Sequence, residues 1–112
     1  MRILSITAQK PHSTGSGVYL TETVRGFKEL GHTQAVIAGV TREDSVKLPE
    51  GVGFYPVYYN SPELPFPVCG MSDEMPYEST RYRDMKPDMV DKFEAAFGST
   101  VLRAVKEFRP DV

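Results

Sequence analysis

Residues 1–40, MRILSITAQKPHSTGSGVYLTETVRGFKELGHTQAVIAGV, decide the fold class. Arg2 to Ala8 place Ile3, Leu4 and Ile6 among small polar residues, a run too short for a helix and suited to a buried strand. Gln9 to Gly17 carry Pro11, Ser13, Thr14, Gly15, Ser16 and Gly17, which break regular structure and predict a loop. From Val18 the apolar positions Leu20, Val24, Phe27 and Leu30 recur at steps of three or four, and Gly31 stands where a helix C-cap is expected. Thr33 to Val40 then return to a short apolar run, the second strand. Strand, glycine loop, helix and strand in that order predict the opening of an α/β fold with a parallel sheet.

Working outward, Gly51 to Tyr59 are rich in strand-favouring side chains, and Pro56 predicts an edge position. Asn60 to Lys86 show no sustained period, and Pro62, Pro65, Pro67 and Pro76 exclude a long helix; a loop of this length is functional or mobile. The last helix is the clearest. Pro87 opens it, Asp88 and Asp91 lie near its start, Arg103, Lys106 and Arg109 near its end, and Val90, Phe93, Phe97, Val101, Ala104 and Phe108 share one face. Arg109 to Val112 read as a helix stop and the first residues of a fourth strand. In the usual order three-two-one-four, strand one would then have an apolar edge that nothing else in the chain covers, and self-association through that edge is expected.

Composition narrows the function. The 112 residues make one domain at most, and 13 basic against 15 acidic residues, scattered along the chain, leave no footprint for nucleic acid. Cys69 is the only cysteine, so an internal disulfide is excluded, and with no second cysteine and no neighbouring histidine it reads as a small buried apolar residue. Nothing at the N-terminus resembles a signal peptide, and a cytoplasmic location is the expectation. No apolar run reaches the length of a membrane span, which leaves peripheral membrane contact open.

The chemistry is expected at the junction of strand one and the first helix, where a glycine-rich turn aims backbone N–H groups at an anion and the helix dipole adds positive charge. Gly15, Ser16 and Gly17 stand there, and a bulky residue at Gly17 is expected to block a phosphate. The dinucleotide fingerprint is incomplete, because Leu20 replaces its third glycine; Glu43 and Asp44 are the only acidic candidates for a ribose contact after strand two. A plain tight turn is the alternative. His12 lies in the same loop, at the edge of the sheet where ligands of open α/β folds gather, and is the candidate catalytic side chain. In the long loop, Tyr77, Arg81 and Tyr82 combine aromatic and hydrogen-bonding groups suited to a polar acceptor such as a sugar.

Taken together, the loop ending Ser13-Thr14-Gly15-Ser16-Gly17, the Leu30-Gly31-His32 turn before strand two, and the closing Phe108-Arg109-Pro110-Asp111-Val112 resemble the start of group-one (family four) glycosyltransferases of the GT-B type. The resemblance implies an incomplete, acceptor-side Rossmann-like domain spanning residues 1–112, with the donor-binding domain absent and this piece inactive alone. It implies transfer of a sugar from a nucleotide-sugar to an acceptor hydroxyl, with no metal or other cofactor. It assigns Gly15, Ser16 and Gly17 to the donor phosphates, and Gly31 and His32 to a structural cap. A non-catalytic nucleotide-binding or flavodoxin-like regulatory domain is the alternative.

Overall fold

The computed structural model describes residues 1–112, Met1 to Val112. Its order is β1 (Arg2–Thr7), α1 (Gly15–Glu29), β2 (Thr33–Val40), β3 (Gly53–Tyr58), a short 3-10 turn (Tyr82–Asp84) and α2 (Pro87–Phe108). The strands form one parallel sheet in the order β1-β2-β3, with Arg2 opposite Thr33 and Ala35 opposite Gly53. The fold is α/β with an open, Rossmann-like sheet.

Because successive side chains of a strand point to opposite faces, β2 supplies both layers of the core. Val36 and Ala38 pack with Val24 and Leu20 of α1, whereas Ile37 packs with Val57, Tyr59 and Ala104, flanked by Phe93, Phe97 and Val101 of α2. Burial on both faces explains why β2 reads as a continuous apolar run, with Ala35 to Val40 all buried. Gly39 is required by close approach. The ring of Tyr59 crosses it on the α2 side, a Cβ there would run into that ring, and the Tyr59 hydroxyl donates to the carbonyl of Ala8.

Helix α1 ends as its sequence predicts. Gly31 is left-handed at φ 85°, its N–H donates to the Lys28 carbonyl at 2.9 Å, and the His32 N–H donates to Phe27 at 3.0 Å. These two bonds make a Schellman cap and satisfy carbonyls that the helix leaves free. The start differs from the expectation. The helix begins at Gly15 rather than Val18, so Gly15, Ser16 and Gly17 are its first turn and the loop before them is shorter.

Both edges of the sheet are informative. The Tyr59 N–H donates inward to Val40 at 2.8 Å, so by alternation the amide positions of Phe54, Pro56 and Tyr58 face outward. Proline therefore sits where no ladder bond is lost, as its edge assignment requires. At the other edge, the N–H of Val112 donates to the Arg2 carbonyl at 3.3 Å and the Leu4 N–H donates to the Val112 carbonyl at 2.8 Å. That is the start of a parallel pairing on β1. The edge expected to be wholly uncovered is thus occupied alongside Arg2 to Leu4, while Ile6 remains 53% exposed. Arg2 fastens this corner, donating through its guanidinium to the Phe108 carbonyl at 2.8 Å and stacking over the Phe108 ring.

The long segment between β3 and α2 is anchored rather than loose. Leu64, Val68 and Cys69 are fully buried in it, and Val68 bridges to Thr80. Met71, 91% exposed, marks its tip.

Candidate functional site

The chain leaves β1 at Thr7 and turns through Gln9, which is 2% exposed and organises the approach to α1. Its amide nitrogen donates to the Thr14 hydroxyl, and its amide oxygen accepts from the Ser16 hydroxyl. Thr14 occupies the N-cap position of α1 in an extended conformation, where a threonine normally caps the helix, yet its side chain makes no cap. Gln9 engages that hydroxyl instead. The first bond of the helix runs from the Val18 N–H to Thr14 at 2.8 Å, so the N–H groups of Gly15, Ser16 and Gly17 precede it and have no protein acceptor. No acidic residue lies in this first turn. The positive end of α1 therefore stands open at the C-terminal end of β1.

The two glycines differ in kind. A Cβ on Gly15 would meet no atom within 4 Å, whereas a Cβ on Gly17 would lie 2.6 Å from the Lys10 carbonyl oxygen and 3.1 Å from the His12 nitrogen. Gly17 lets α1 pack against the preceding loop, and the space expected for a phosphate at its α-carbon is filled by backbone. Gly15 is the position where a ligand can come close.

A cavity of about 300 Å³ lies against this turn, between Ile6 to Gln9 and Ser16 on one side and Gly70, Met71 and Tyr82 on the other. The fold thus brings Ser16 and Tyr82 to one cavity from positions far apart in sequence. Gly70 lies directly against the Gln9 side chain, with no room for a Cβ. The Tyr82 hydroxyl donates to the Cys69 carbonyl at 3.0 Å and its ring meets Phe93 edge-on, and burial pushes its phenol above the ordinary range. Tyr77 lies beside the cavity rather than in its lining. Lys10 sits 4.6 Å over its ring, and its buried hydroxyl has no hydrogen-bond partner. Arg81 precedes the 3-10 turn and lies outside the lining. His12, left-handed at φ 64° and exposed, donates from Nε2 to the Lys47 carbonyl at 2.7 Å. The ring stands outside the cavity lining.

Two of the groups that build this corner carry little or no signal in the sequence. Gln9 belongs to no motif, and only its place after an apolar strand and seven residues before Ser16 hints at a bridging role. Lys10 reads as a solvated side chain, yet it pairs with Asp44 at 3.0 Å and so ties the β1 loop to the loop after β2. Burial disfavours the charged form of Asp44, but hydrogen bonds from the Thr41 N–H, Lys10 and the Thr41 hydroxyl outweigh it and hold the carboxyl below its usual value. Asp44 is thereby committed to protein contacts, which removes it as a ribose ligand. No three His, Cys, Asp or Glu side chains converge as metal ligands would, and no helix is long and apolar enough to cross a membrane.

No protein-family profile, curated protein or solved structure matches this chain.

Proposed function

We propose that this chain is the acceptor-side domain of a GT-B-type glycosyltransferase, and that the start of α1 receives the phosphates of a nucleotide-sugar. The observation that carries the reading is the open N-terminus of α1. Three N–H groups without acceptors, Gly15 leaving free space beside them, no acidic residue in the turn and a cavity at the strand end are the elements a phosphate needs. The step from phosphate binding to glycosyl transfer rests on the sequence resemblance alone, carried by the glycine loop, Gly31-His32 and the Pro-Asp-Val segment.

In such a reaction the acceptor oxygen forms a bond to the anomeric carbon as the bond to the diphosphate breaks. The leaving diphosphate gains negative charge, which the N–H groups of Gly15, Ser16 and Gly17 stabilise without reorganising. The acceptor proton passes to a base; His12, the side chain expected from the sequence for that role, stands outside the cavity lining and would have to be reached from its rim. Of the three side chains expected to meet the acceptor, Tyr82 lines the cavity and is the one retained for that role, whereas Tyr77 and Arg81 stand outside its lining.

Isothermal titration with UDP-glucose, GDP-mannose and free UDP tests the reading. Saturable binding of a nucleotide-sugar that weakens with salt and is lost in Gly15→Val supports it. Absence of binding to all three at millimolar concentration, or binding unaffected by Gly15→Val, overturns it.

A further inference from the structure

The largest concavity of the molecule lies elsewhere, along the free edge of β3. It encloses about 640 Å³ between the strand edge, α2 and the loop after β3, within the range of small-molecule sites.

The edge itself offers both donors and acceptors. The N–H groups of Phe54 and Tyr58 and the carbonyls of Phe54 and Pro56 point outward, while the Tyr58 carbonyl accepts from the Ser61 hydroxyl at 2.7 Å. An added peptide strand would need a donor at the middle position, where Pro56 has only its ring. The edge therefore resists strand addition and keeps isolated polar groups.

Four charges surround it: Arg42, Arg103, Glu63 and Glu107. The ion pairs of the molecule are Lys10–Asp44, Arg25–Glu22 and Arg83–Asp73, so none of the four has an oppositely charged partner within 4.0 Å. Two positive and two negative groups cancel, which disfavours an anion as the occupant; the Glu107 carboxylate is engaged by the Tyr55 hydroxyl, and Arg42, Arg103 and Glu63 are left to meet a ligand. Each guanidinium is oriented by a ring, Arg42 over Tyr58 at 4.2 Å and Arg103 over Tyr55 at 5.6 Å. On the α2 wall, the Ser99 and Thr100 hydroxyls donate to the Ala96 carbonyl and keep lone pairs to accept with.

We propose that this groove binds a neutral, hydroxyl-rich ligand, a short oligosaccharide. Vicinal hydroxyls of a sugar both donate and accept, and they match a surface of unpaired guanidinium, carboxylate and strand-edge amide groups whose net charge is zero. The inference stands on the groove alone and does not depend on the phosphate reading of α1.

The test is a titration of the 15N-labelled chain with maltotriose, cellotriose and triacetylchitotriose, with UDP and an unrelated strand-forming peptide as rivals. At least one trisaccharide should shift the Phe54 and Tyr58 amides saturably and leave those of Gly15 to Gly17 in place. Ser99→Phe, which fills the α2 wall, and Arg42→Ala should each weaken this binding about tenfold, worth about 1.4 kcal/mol, with melting temperature unchanged. Silence with all three sugars, equal binding by both folded variants, or shifts produced only by UDP or by the peptide would overturn the proposal.

Discussion

Gly15 and Gly17 stand two residues apart in one helical turn, and a methyl group at each should have opposite effects. At Gly17 the added carbon meets the Lys10 carbonyl oxygen at 2.6 Å and the His12 nitrogen at 3.1 Å, both backbone atoms, so the loop must move. Overpacking of this kind costs about 1–3 kcal/mol, against a gain of about 0.5–1 kcal/mol for replacing a helical glycine with alanine. The net is then a loss centred on about 1 kcal/mol and reaching about 2.5 kcal/mol, a fall in melting temperature of roughly 4–8 °C at the centre for a domain of this size. At Gly15 no atom lies within 4 Å, so alanine should melt at or slightly above the parent temperature. On the proposed reading a phosphate approaches through that space, and Gly15→Ala should still weaken nucleotide-sugar binding. Thermal melting by circular dichroism, paired with calorimetric titration of UDP-glucose, separates the two. If Gly17→Ala melts with the parent protein and Gly15→Ala binds as the parent does, the division between a packing glycine and a ligand-facing glycine is wrong.

Asp44 has a lowered pKa in the fold, so its stabilising contribution is complete above the ordinary value of 3.8 and is lost as pH falls through the folded value. Asp44→Asn should accordingly flatten the acid limb of a stability-versus-pH curve; an unchanged limb would show that the Thr41 and Lys10 contacts to this carboxylate contribute nothing. Tyr59 has a raised pKa, mainly from burial, so its contribution is complete below the ordinary value of 10.0 and drains away as pH rises above it. Tyr59→Phe should reduce alkaline destabilisation and, by orphaning the Ala8 carbonyl, cost about 1–3 kcal/mol at neutral pH in denaturant titration; a neutral outcome would mean water replaces the hydroxyl. The edge of β1 beyond Leu4 should promote self-association, which Ile6→Lys suppresses in sedimentation velocity. Parent and variant sedimenting alike as monomers would show that Asp111 and Val112 protect enough of the edge.

The strands and helices are legible in the sequence because their patterns are local. β2 is buried on both faces and reads as an unbroken apolar run, the Gly31 turn needs a left-handed residue, and Pro56 on an outward amide position follows from having no N–H to give. Helix α1 reads as starting late because glycine and serine have poor helix propensity, and only the tertiary framework of Gln9 and the Lys10 carbonyl draws Gly15 to Gly17 into its first turn. The candidate site is legible in part. Ser16 is expected from its place after a strand, but its meeting with Tyr82 depends on how residues 60–81 cross the end of the sheet, which no periodicity encodes. Gln9 and the Lys10–Asp44 pair are hidden for the same reason, since their partners are fixed by folding rather than by spacing. The groove at β3 combines residues from a strand, two loops and a helix, and leaves no sequence signature at all.

The first turn of α1 is proposed as an open phosphate site, and a 1H–15N titration of the chain with UDP-glucose tests it residue by residue. The amide resonances of Gly15, Ser16 and Gly17 should move together and saturably, with downfield shifts that inorganic pyrophosphate reproduces and high salt diminishes. Amides of Gly15 to Gly17 that stay in place while nucleotide-sugar or pyrophosphate saturates the chain elsewhere, or that never move, would contradict it.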